Sequence, residues 1–78
     1  MSHQHPHPQS MAGKNFANAS LAGKDFRGVE LRGANFAGAD LRGADLELAD
    51  LAGANLVSAE LAKANLSWAN LAGAALNE

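Results

Sequence analysis

The 78-residue chain contains no cysteine, no tyrosine, two prolines, three phenylalanines and one tryptophan. Without cysteine there is no disulfide scaffold and no thiolate metal site. The three histidines all fall within the first seven residues, at His3, His5 and His7, so the rest of the chain has no imidazole for acid–base or metal chemistry. No apolar run is long enough to cross a bilayer. The opening MSHQHPHPQS has neither the basic region nor the apolar core of a secretory leader, so a soluble cytoplasmic protein with no membrane partner is expected. Eight acidic and six basic residues leave a net charge of −2, too balanced for a direct nucleic-acid binder.

What the chain does have is a repeat of five. A large apolar residue recurs at every fifth position from Phe16 to Leu76, thirteen times without a miss. Two residues earlier stands alanine or Val29, except at Lys14 and Lys24. Between these two lies a polar residue, from Asn15 and Ser20 through Asp40, Asp45 and Asp50 to Asn70, with Ala75 the exception. Alanine and leucine are strong helix formers, but in a helix a period of five advances about 140° per repeat and leaves no apolar face. In an extended segment, residues two apart point the same way. Each alanine and the leucine after it then share an inner face, and the residue between them points outward. The two remaining residues turn a corner, where glycine closes seven units between Gly23 and Gly73.

The run GADLRGADLELADLAGANL, residues 38–56, is similar to the Ala-Asp/Asn-Leu-x-x consensus of pentapeptide-repeat proteins, and the resemblance extends over residues 14–78. It implies an all-β fold, a right-handed quadrilateral β-helix of slightly over three coils, preceded by a disordered His/Pro-containing tail over residues 1–13. Residues twenty apart then stack in columns: Phe16, Phe36, Leu56 and Leu76 on one wall, Phe26, Leu46 and Leu66 on the opposite one. Three coils stand about 15 Å tall.

So short a solenoid gains from covering its ends. Lys14 and Lys24 occupy inward positions of the first coil, where charge opposes docking. At the other end Leu71, Ala74, Ala75 and Leu76 continue the apolar layers with no cap in the sequence, and they are the candidates for self-association into a homodimer or higher homo-oligomer. Leu48 and Trp68 stand at corner positions one coil apart and form the candidate surface for an unidentified protein partner.

Some proteins of the resembled family mimic DNA and bind type II topoisomerases such as gyrase. A 15 Å rod matching duplex DNA needs about nine net negative charges, whereas this chain has a net charge of −2. The alternating His3, His5 and His7 form a weak metal site at best. No phosphate loop, nucleophile constellation or cofactor motif is present, so a structural or scaffold protein with no catalytic or cofactor-binding residue is expected.

Overall fold

The computed structural model describes residues 10–77. Ten parallel bridges, each a single residue wide, all join positions twenty apart, from Ser10–Glu30 to Asn55–Ala75. Successive bridges are five residues apart and separated by turns, so four short walls close each circuit and the next circuit stacks in register upon it. The first wall carries Met11, Leu31, Leu51 and Leu71, and the second carries Phe16, Phe36, Leu56 and Leu76. The third has Leu21, Leu41 and Leu61, and the fourth Phe26, Leu46 and Leu66. The regular geometry opens at Ser10, four residues ahead of the boundary expected from the Phe/Leu series, because Met11 fills the central position of one further unit and packs on the core.

The corners explain the glycines. The N–H of the residue after each corner donates to the carbonyl of the central residue before it, as Ala39 does to Phe36 at 2.9 Å. The second corner residue has positive φ in all thirteen turns, the backbone of a type II turn. Eight of these are glycine, and Asn18, Leu48, Ser58, Lys63 and Trp68 adopt the same conformation with φ between 60 and 64°.

Backbone accounting is nearly complete within a unit. The N–H groups of Phe36 and Gly38 donate to the coil above at Asn55 and Val57, and that of Asn35 donates to the coil below at Lys14. The N–H of Ala37 points at no carbonyl; the side chain of Asn35 accepts it at 2.9 Å. The same Asx bond recurs at Asn15, Asp25, Asp40, Asp45 and Asp50, and again at Asn55, Asn65 and Asn70. The outward polar position therefore closes the corner as well as meeting water.

Inside, Leu31, Leu41, Leu46 and Leu51 are fully buried together with Ala34, Ala39, Ala44 and Ala49. Phe16 and Phe36 stack in their column with ring centroids 5.0 Å apart, and Phe26 meets both edge-on from the opposite wall at 5.9 and 6.1 Å, a favoured aromatic arrangement.

Candidate interaction surfaces

Among the described residues there is neither a cavity nor a group of three acidic or histidine side chains placed to hold a metal. His3, His5 and His7 lie outside the described residues. The features with chemistry to offer are the two edges of the solenoid and its outer corners.

At the first edge, Lys14 and Lys24 are exposed while Ala34 and Ala44, next in the same columns, are fully buried. A lysine is accommodated in the inward small position only where no coil covers it. The backbone beneath them is regular: the carbonyls of Lys14 and Lys24 accept the N–H groups of Asn35 and Asp45, each at 2.9 Å.

At the last edge, Leu61, Leu66 and Leu71 are half-buried beside Ala64, Ala69 and Ala74, Ala75 is exposed, and Leu76 is 51% exposed. The N–H groups of Leu61, Lys63, Leu66, Trp68, Leu71 and Gly73 have no backbone partner among the described residues, although their equivalents in the earlier coils all donate across the ladder. Leucines, an alanine layer and unpaired donors coincide on one face.

The corner between the fourth and first walls carries Gly28, Leu48 and Trp68 in one column, and the N–H of Leu48 donates to the carbonyl of Ser67 at 2.9 Å. Leu48 is 55% and Trp68 84% exposed. Both hold the positive φ that glycine adopts freely and that costs other residues about 1 kcal/mol or more. Val57, 40% exposed on the diagonally opposite corner, is an apolar surface residue that sequence reasoning passed over; its place in the corner column after Ala37 is the signal that marks it.

The acidic columns are laced with arginine. Arg42 binds Asp40 at 2.7 Å and Glu60 at 3.3 Å, Arg32 binds Asp50 at 3.1 Å, and Arg27 lies 3.6 Å from Glu47. The Asp40 carboxyl is held down at about 2, from an ordinary 3.8, by the Arg42 side chain first and by the Arg42 backbone N–H second. Arg42 is pushed up in return by the same carboxylate. The charge is unevenly spread. The second wall shows only Asn15, Asn35, Asn55 and Ala75 at its outward positions, whereas the fourth and first show Asp25, Asp45, Glu30 and Asp50, with Glu47 on the corner between them.

The sequence profile of pentapeptide repeats (8 copies) matches residues 15–47 and 48–78. Among solved structures, the chain is 43% identical to a pentapeptide repeat protein from the Arabidopsis thaliana thylakoid lumen, with a TM-score of 0.84 over 87% of this chain and 47% of that one. A pentapeptide repeat protein from the cyanobacterium Cyanothece 51142 is 30% identical, with a TM-score of 0.87 over 92% of this chain and 49% of the other. A third, from Nostoc sp. strain PCC 7120 and involved in heterocyst differentiation regulation, is 40% identical, with a TM-score of 0.81 over 83% of this chain and 31% of its own length. The chain thus spans half or less of each of these proteins. No curated protein sequence matches it.

Proposed function

The chain belongs to the pentapeptide-repeat family, and on that footing we propose that it works without catalysis, as a right-handed β-solenoid scaffold that binds protein, in the first place a second copy of itself. The observation that carries this reading is the last edge, where Leu61, Leu66, Leu71 and Leu76 lie beside Ala64, Ala69 and Ala74 and six ladder donors have no backbone partner among the described residues. An edge of this kind is a template for further pairing.

The choice of which edge docks follows from magnitudes. Stacking a last coil on another copy's first coil matches donors to acceptors, since the outward carbonyls of the first coil lack partners among the described residues, and each bond is worth about 0.5–1.5 kcal/mol. That arrangement also drives Lys14 and Lys24 against an alanine layer, and desolvating an unpaired ammonium costs several kcal/mol. Joining two last edges about a two-fold axis avoids both lysines, is closed, and leaves the carbonyls of Ala64, Ala69 and Ala74, which also lack partners among the described residues, as acceptors for the other copy's ladder donors. Light scattering on the purified 78-residue chain is expected to show a dimer. Ala75→Lys with Leu76→Lys, both at exposed positions, is expected to return a monomer with unchanged circular dichroism. A wild-type monomer at high micromolar concentration excludes self-association.

A second reading is favoured by one observation. Trp68 is 84% exposed on a strained corner, which suits a contact surface for a different protein, in keeping with the regulatory role of the similar Nostoc protein. A topoisomerase-binding DNA mimic is disfavoured, since Arg32 and Arg42 pair with Asp50, Asp40 and Glu60 and the chain has a net charge of only −2.

A further inference from the structure

The geometry points to the Leu48–Trp68 corner as a docking site for a cationic, leucine-like segment of a partner protein: one apolar side chain laid on Trp68 and Leu48, flanked by arginine or lysine. This inference rests on the protein-binding reading above and adds the chemistry of the partner.

The corner is apolar at Trp68 and Leu48 and acidic along the coils beneath the indole. Trp68 and Leu48 project from adjacent coils at one vertical edge of the solenoid. Level with Trp68 the fourth and first walls present Asn65 and Asn70; one coil below, level with Leu48, they present Asp45 and Asp50 with Glu47 on the corner, and two coils below they present Asp25 and Glu30. Against these five carboxylates stand Arg27 and Arg32, which pair with Glu47 and Asp50; among the described residues Asp25, Glu30 and Asp45 form no ion pair. Lys24 begins the same wall two coils below Trp68. A cationic partner therefore meets a net negative collar, and an acidic one is repelled.

The collar is also rigid. Asp45 is anchored through the N–H of Glu47 at 3.0 Å, and Asp50 through the N–H of Ala52 at 3.2 Å and the side-chain amide of Asn70 at 3.3 Å. Carboxylates already held in place lose little freedom on binding. The face of the exposed indole adds a cation–π site for an incoming guanidinium. Positive φ supplies an independent sign. Gly28 occupies the same column without strain, while Leu48 and Trp68 hold φ of 63 and 61°. Ser58 and Lys63 hold the same φ, so what sets this corner apart is that the strain is borne at two successive coils by large apolar side chains that stay 55% and 84% exposed.

Trp68 is the sole tryptophan, so its emission reports the corner directly. The probe is the acetylated, amidated hexapeptide RRLLRR, with EELLEE as its charge-reversed control, titrated into the full chain. The expected result is a saturable blue shift of Trp68 emission with RRLLRR that weakens as sodium chloride rises, and none with EELLEE. By calorimetry Trp68→Gly, which leaves the corner in its preferred backbone, is expected to abolish binding, and Asp45→Asn with Glu47→Gln to weaken it about fivefold. No shift with RRLLRR, equal shifts with both peptides, or undiminished binding by Trp68→Gly overturns the inference. Light scattering on the same samples separates the corner from the self-associating edge. Failure of the titration on a protein that still dimerises retires the corner and leaves the scaffold intact, while failure on a strict monomer retires both.

Discussion

A single dihedral angle per unit sets how much strain the corners carry. Gly43 sits at φ +70° with open space where a Cβ would project, whereas a Cβ on Gly38, at the same φ, collides with the side-chain amide of Asn18. At Leu48 and Trp68 the strain is already present. Replacing Trp68 by glycine is therefore expected to stabilise the fold by about 1 kcal/mol, in spite of removing a large side chain, because the left-handed penalty disappears and the lost side chain is 84% exposed. Thermal or urea unfolding of Trp68→Gly checks this; a lower midpoint than wild type contradicts it and implies that the indole packs on its own solenoid.

At the scale of the repeat, the period of five and the inward column were legible in the sequence because extended chain alternates strictly and stacking follows a fixed interval. Phe16 over Phe36 is the clearest case. The role of the outward residue was not legible: Asn35 reads as a solvent-facing polar residue until the corner N–H of Ala37 is found to have no other acceptor. Nor was the pairing of acids with arginine: Arg42 opens the turn that follows Leu41, and its guanidinium folds back to donate to both carboxylate oxygens of Asp40. Met11 was overlooked because it breaks the Leu/Phe series while keeping its phase.

That turn makes one unit sensitive to acid. With a folded pKa of about 2 against an ordinary 3.8, Asp40 contributes stability that is fully present above 3.8 and is lost as pH falls through 2, since the depressed value means the unfolded chain takes up the proton first. Asp40→Asn keeps an oxygen for the corner N–H but removes the charge. Its stability deficit relative to wild type is expected above pH 3.8 and should close as pH approaches 2; a deficit unchanged at low pH assigns the loss to the hydrogen bond rather than to the ion pair.

For the whole molecule, the edges and corners carry what the repeat pattern alone does not specify. The apolar faces of the last coil follow from ordinary repeats with nothing stacked on them among the described residues, so a candidate docking edge was readable from the columns. The acidic coil beneath Trp68 became visible only when Glu47 was placed around the same bend as Asp45 and Asp50.

Stacking at twenty residues with turns at five gives the surface a phase that the core does not possess. Every wall accepts a leucine from any unit, so excising one whole unit leaves the interior filled and rotates everything after it by a quarter turn. Deleting residues 54–58 moves Trp68 from the column of Leu48 to that of Gly43. The shortened chain is expected to keep its circular dichroism while losing the RRLLRR response, and a retained response places the site on Trp68 alone. Insertions of five residues would therefore work as a dial, reassigning which exposed side chains are neighbours while the fold registers only the change in height.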